Sequence, residues 1–117
     1  MWSDPDPEKE DFTLSPRGAG YTYGRNVVNK FLEINGMEHI LRAHQLCMDG
    51  YQVLFDGRLS TVWSAPNYSY RCGNKASILE ISESLERTFN VFDAAPESKL
   101  HDDNVPNIAK ATPDYFL

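Results

Sequence analysis

The stretch Gly24–Gln45 reads GRNVVNKFLEINGMEHILRAHQ. Val27, Val28, Phe31, Leu32 and Ile34 recur at helical spacing, with Arg25, Asn29, Lys30 and Glu33 between them. This pattern predicts an amphipathic helix over Gly24–Asn35, closed by Asn35-Gly36. His39–Ala43 then reads as a short buried strand, and His44 follows where that strand enters a loop. A helix followed directly by a strand sets the class as mixed α/β.

Working outward, Tyr51–Asp56 and Leu59–Trp63 read as strands joined by a tight turn at Asp56-Gly57. Lys75–Ile81 alternates in part and reads as a strand, and Thr88–Phe92 as a further one. Before the helix, Pro5, Pro7 and Pro16 break regular structure, so Met1–Arg17 is expected to be loop. Gly18-Ala19-Gly20 lets the backbone approach something closely. From Pro96 onward, acidic and polar residues with Pro106 and Pro113 predict an extended tail. The expected order is one helix, then a mainly antiparallel β-meander, then the tail. A sheet with only one helix to cover it reads as part of a larger domain.

Composition narrows the function. Eleven basic residues stand against seventeen acidic ones, a formal net charge of -6. That argues against a general nucleic-acid binder, which presents a basic face. A few local arginines still suffice for a phosphate pocket. Cys47 and Cys72 form no CxxC motif and no closely spaced framework, so reduced thiols are expected. No apolar run is long enough for a membrane span, and MWSDPDPEKEDF does not resemble a secretory signal.

Several residues have the chemistry of a site. His44, in Arg42-Ala43-His44-Gln45, offers an imidazole to a first-row metal at a strand end. The tetrapeptide by itself fits a hydrogen-bonded core histidine at least as well. Arg17 has the planar fork that clamps a phosphate, and is equally a surface arginine on a loop. Asp4 either orients a site residue or makes a turn. Tyr68 offers a phenolic hydrogen bond or simply packs. Arg71 is a second anion contact or a brace for its own loop. His39 and His101 have no convincing metal partner in the sequence.

Taken together, the motifs are specific. WSDP (Trp2–Pro5), SPRGAGYTYG (Ser15–Gly24), RAHQL (Arg42–Leu46), SAPNYSYRCGN (Ser64–Asn74) and TPDYFL (Thr112–Leu117) occur in this order. The set resembles the C-terminal part of the catalytic subunit of metal-dependent serine/threonine protein phosphatases. YRCGN and DYFL look like the branch that contains types 2A, 4 and 6, and MWSDPDPEKEDF points to a fungal relative. The resemblance implies the C-terminal portion of a metallophosphoesterase β-sandwich flanked by helices. It places residues 1–95 in an incomplete catalytic domain and 96–117 in a flexible regulatory tail.

The resemblance also implies two divalent metal ions, manganese or an iron/zinc pair, that lower the pKa of a bound water and neutralise phosphate charge. It assigns His44 to a metal, Arg17 to the substrate phosphate, Tyr68 to the wall of the cleft and Asp4 to an acidic position near it. Leu117 becomes a carboxyl-methylation site, and Tyr115 and Thr112 become phosphorylation sites. Implied partners are phosphoprotein substrates, scaffold and regulatory subunits, and a methyltransferase and methylesterase at the C-terminus. Neither nucleic acid nor membrane is implied, and the setting is cytoplasmic and nuclear.

Two departures qualify these expectations. The family's GDxHG, GDxVDRG and GNHE motifs, which carry most of the metal ligands, do not occur in the sequence. The chain alone is therefore expected to be an inactive fragment, with Met1 an internal methionine, or else a non-catalytic interaction or decoy module. Ser69 stands where the family has cysteine; it is nearly isosteric but more polar, and is expected to alter inhibitor contacts rather than chemistry.

Overall fold

The structure is a computed structural model that describes residues 1–96. In chain order the elements are β1 (Asp4–Pro5), β2 (Phe12–Leu14), β3 (Tyr21–Tyr23), α1 (Arg25–Asn35), β4 (Ile40–Arg42), β5 (Tyr51–Leu54) and β6 (Leu59–Val62). A 3₁₀ turn at Tyr68–Tyr70 precedes β7 (Ala76–Ile81) and β8 (Arg87–Phe92). The chain divides into two compact units. One is Met1–Gln45 with Val53–Thr61, and the other is Leu46–Gln52 with the described residues 62–96.

In the first unit, α1 forms where periodicity expected it. Gly36 adopts a left-handed conformation, and its N–H and that of Met37 close on Glu33 and Leu32. This is a Schellman closure. The N-terminal end has no side-chain cap. The N–H groups of Gly24, Arg25 and Asn26 instead donate to the carbonyls of Asp11, Lys9 and Glu10. Such groups have no partner within a helix and must find one outside it. The approach is so close that a Cβ at Gly24 would lie 1.9 Å from the Lys9 carbonyl oxygen.

The helix buries a narrower stripe than its composition suggests. Val28 and Leu32, one turn apart, are 1% and 2% exposed, whereas Phe31 and Ile34 face outward. Val28 and Leu32 pack with Phe55 and Leu59, flanked by Tyr23, Ile40 and Leu54.

Met1–Arg17 is not all loop. β1 and β2 both pair with β3, which lies between them, parallel to β1 and antiparallel to β2. Phe12 opposes Tyr23 and Thr13 opposes Thr22, whose hydroxyls meet at 2.7 Å. Strands of two or three residues are too short to show alternation, and only pairing reveals them. Pro5 is accommodated at the end of β1, on an outer strand.

The meander expectation also needs correction. β6 lies between β4 and β5, and β4 runs parallel to it, with Ile40 opposite Leu59 and Arg42 opposite Thr61. β5 and β6 are joined through Phe55–Arg58, with a hydrogen bond from Arg58 N–H to the Phe55 carbonyl and positive φ at Asp56 and Gly57. Two positive φ values at the central positions are what a type I′ turn requires. Helix and strand limits otherwise fall within a residue or two of those expected, as is usual for element ends.

In the second unit, β7 and β8 form an antiparallel ribbon running from Ala76 opposite Phe92 to Ile81 opposite Arg87. Tyr51 stacks on Phe89 with ring centroids 4.1 Å apart. Ser77 is fully buried and donates from Oγ to the Gly50 carbonyl at 2.6 Å. The tail expected from residue 96 lies outside the described residues but for its first one. No helix among the described residues is long and apolar enough to cross a membrane.

Candidate functional site

The first unit gathers three of the sequence-derived candidates. Asp4 lies on β1 and is 5% exposed. Its two carboxylate oxygens serve two different guanidinium groups. Oδ2 accepts from Arg17 Nε at 2.5 Å, and Oδ1 accepts from Arg42 Nη2 at 2.7 Å. The Arg17 and Arg42 side chains are themselves almost wholly buried. Arg17 is thus not a surface arginine, and Asp4 does more than make a turn.

The loop that carries Arg17 is shaped to reach Asp4. Arg17 N–H donates to Ser15 Oγ, and Gly18 N–H to the Ser15 carbonyl. Gly20 then passes so near Trp2 that a Cβ would sit 2.8 Å from its backbone carbonyl. This is the close approach expected of the Gly18–Gly20 stretch.

Arg42 closes β4 and is held on several sides. Besides Asp4, it donates to Gln45 Oε1 at 2.7 Å, to the Ser3 carbonyl at 3.2 Å and to Thr61 Oγ1 at 3.4 Å. The sequence reading passed over it. The available signal was a cation directly after Ile40-Leu41 in a strand, since a buried charge needs a partner.

His44 follows two residues later with φ of 87°. A positive φ at a non-glycine residue is a strained state that surrounding contacts must hold. The Trp2 ring meets the imidazole edge-on at 5.2 Å. His44 Nε2 is buried without a hydrogen-bond partner, so the residue is not a satisfied core histidine. His44, Arg42, Trp2, Ser3 and Tyr23 line a cleft of about 670 Å³. Burial raises the Tyr23 pKa; Asp4 adds to the rise and Arg42 opposes it. His39, in contrast, lies just before β4 with its Nε2 2.9 Å from Ser60 Oγ.

An orphaned imidazole nitrogen on a cleft fits a metal ligand. The donor set as a whole does not: among the described residues no three His, Cys, Asp or Glu side chains converge as a metal site. One ligand nitrogen is present where a zinc-type or two-metal centre takes at least three.

Tyr68 belongs to the second unit, in the loop Ser64–Asn74. Its ring meets Trp63 edge-on at 4.9 Å, and Trp63 Nε1 donates to the Ala65 carbonyl at 2.7 Å. Asn74, 3% exposed, ties the loop together. Its Oδ1 accepts from Tyr68 N–H at 2.8 Å, and its Nδ2 donates to the carbonyls of Ala65 and Lys75 at 2.9 and 2.8 Å. Asn67 Oδ1 accepts from Gly73 N–H at 3.0 Å. These bonds hold Asn67, Ser69 and Tyr70 at positive φ. Tyr70 and Arg71 are exposed, and Tyr68 is half-buried. Trp63 and Asn74 are further residues that the sequence reading did not single out. Leu117, Tyr115, Thr112 and His101 lie outside the described residues.

Sequence comparison identifies close relatives over the entire chain. A protein phosphatase 2A catalytic subunit of Dictyostelium discoideum is 62% identical over 117 residues, all of this chain and 37% of that protein. The chain's homologues are type 2A- and type 4-like serine/threonine phosphatase catalytic subunits. The serine/threonine-protein phosphatase 4 catalytic subunit of Candida glabrata is 49% identical, again over all of this chain and 38% of the relative. The chain therefore spans somewhat more than a third of the length of these phosphatases.

Among solved structures, a serine/threonine phosphatase from Saccharomyces cerevisiae with similarity to human phosphatase PP5 superposes with a TM-score of 0.73 at 29% identity. That match covers 81% of this chain and 33% of the other. No family model matches the chain. The phosphatase relationship agrees with the mixed α/β architecture of one helix with sheets.

Proposed function

We propose that this chain carries part of the catalytic domain of a type 2A-branch phosphatase that hydrolyses phosphoserine and phosphothreonine in proteins. Arg17 binds the substrate phosphate, Asp4 holds Arg17, His44 presents Nε2 to a divalent metal ion, and Tyr68 is the aromatic that lines the catalytic cleft of the complete phosphatase. The observation that carries this reading is the Asp4 carboxylate of β1 shared by Arg17 and Arg42, the latter closing β4 two residues before the unpartnered His44 nitrogen. Two guanidinium groups and one carboxylate leave the cluster a formal charge of +1, which favours a bound phosphate dianion. The metal pair, manganese or iron/zinc, would polarise the phosphate and activate water; its remaining ligands are not supplied by the described residues.

The rest of the proposal follows from the same relationship. The β-sandwich is completed by further chain, with residues 1–95 in the catalytic domain and 96–117 as a regulatory tail. Leu117 is the site of carboxyl methylation by a methyltransferase, reversed by a methylesterase. Thr112 and Tyr115 are sites of phosphorylation. Scaffold and regulatory subunits choose the phosphoprotein substrates, in cytoplasm and nucleus. By itself the 117-residue chain is proposed to be inactive, serving at most as an interaction module. The outward-facing Phe31, Ile34, Ile78 and Ile81 favour that second reading, because exposed apolar surface marks places where protein docks.

Two assays test these statements. The purified chain with Mn²⁺ and a phosphopeptide should show no turnover. A chimera in which the chain replaces the matching segment of the Dictyostelium relative should show metal-dependent turnover, and His44→Ala or Arg17→Ala should abolish it. Turnover by the isolated chain overturns the inactivity claim. A folded but inactive chimera, or one indifferent to both substitutions, overturns the site assignment.

A further inference from the structure

We infer that Arg42 is a positioning residue for Arg17, acting through the Asp4 carboxylate. The inference rests on the proposal that Arg17 receives phosphate. A carboxylate facing an arginine usually gives both oxygens to it, fork to fork. Asp4 divides its oxygens between two arginines. Oδ1 accepts from Arg42 Nη2 at 2.7 Å, and Oδ2 accepts from Arg17 at the edge nitrogen Nε. Arg42 cannot easily release its oxygen, because Gln45, Ser3 and Thr61 hold the same guanidinium at 2.7, 3.2 and 3.4 Å. The carboxylate is therefore locked in rotation, and so is the plane of the Arg17 guanidinium that it grips.

This couples parts of the site that are remote in sequence. Arg17 sits on a glycine-flanked turn between β2 and β3, whereas Arg42 closes β4 two residues before His44. β4 thus leads directly into the proposed metal ligand and, through Arg42 and Asp4, sets the orientation of the proposed phosphate ligand. A lysine at position 42 would keep the charge. It would lose the planar fork that reaches Asp4, Gln45 and Ser3 together. Asp4 would then turn to take Arg17 with both oxygens, and the guanidinium would turn with it.

The experiment uses the 117-residue chain labelled with ¹⁵N-arginine, with inorganic phosphate as the probe. Arg42→Lys should retain a cooperative thermal transition yet shift the Arg17 Nε–H signal. Phosphate affinity should fall about tenfold, the equivalent of one misplaced charge-assisted hydrogen bond. An Arg17 signal that stays put overturns the inference. A shifted signal with undiminished phosphate affinity reduces Arg42 to a structural role and overturns it as well. If Arg42→Lys does not fold, Gln45→Met, which removes one anchor from Arg42, should give smaller changes in the same direction. A wild-type chain that binds no phosphate counts against the phosphate site itself; the Arg17 signal then still decides whether Arg42 orients it.

Discussion

Asp4 shows how much can rest on one buried side chain. Two cations converge on its single negative charge, and breaking a buried ion pair costs more than forming it gains, because the remaining partner is left uncompensated. Asp4→Asn should therefore lower stability by about 3–5 kcal/mol, read from urea denaturation. A loss of less than about 1 kcal/mol, the range of surface pairs, would show that the carboxylate is not the centre of a desolvated cluster. Tyr23, beside it, gives a pH signature. Its folded pKa is raised above the ordinary 10.0, chiefly by burial. Above pH 10 the unfolded chain loses this proton while the folded chain keeps it. Folding then binds protons, so stability falls as pH rises through that window and is fully retained below it. Wild type should lose urea resistance more steeply than Tyr23→Phe once the pH passes about 10; parallel curves would contradict the assignment. Of these residues, Asp4, Arg17 and His44 were legible as site candidates from their motifs. Arg42 and Tyr23 were not, because a partner 38 residues away leaves no trace in local spacing.

At the scale of elements, local pattern and local chemistry agreed wherever the element was closed by its own residues. The helix Arg25–Asn35 has its apolar period and its glycine stop written into it, and the strands β7 and β8 were each legible as short β-rich runs, the first alternating in part. Strands β1, β2 and β3 escaped the reading because each is too short to form without the others. The Ser64–Asn74 loop is intermediate. Its turn residues are plain in the sequence, but its shape depends on the Asn74 carboxamide, which bonds Tyr68, Ala65 and Lys75 together. Asn74→Ala takes the Asn74 partner from the Tyr68 N–H and the Lys75 carbonyl, while the Ala65 carbonyl keeps Trp63 Nε1, with a cost of about 1–3 kcal/mol for each group that neither protein nor water then satisfies. It should also collapse the near-ultraviolet circular dichroism of the Trp63–Tyr68 pair. Retention of that signal at wild-type amplitude would mean that the aromatic contact, and not Asn74, sets the loop.

Across the whole molecule, much apolar surface remains outside the core of Val28, Leu32, Phe55 and Leu59. Phe12, Leu14, Phe31 and Ile34 in the first unit, and Ile78, Ile81, Leu85 and Val91 in the second, are all exposed. A groove of about 250 Å³, lined by Phe12, Tyr23, Val27, Phe31 and Ile40, adds a concave apolar site. The isolated chain should enhance the fluorescence of an anilinonaphthalene sulfonate dye while retaining a cooperative melt. Phe31→Glu should reduce the enhancement without lowering stability by more than about 0.5 kcal/mol, as befits a surface position. Dye binding that appears only as the chain unfolds would show these faces to be covered. By itself the sequence determined the helix, the ribbon and the phosphatase motifs, because periodicity, caps and turn residues act over a few neighbours. Only the tertiary structure decided the parallel pairing of β4 with β6 and the gathering of Asp4, Arg17 and Arg42 into one cluster. Hydrogen-bond pairing and charge compensation operate between groups that are neighbours in space, and the chain brings those together only when it folds.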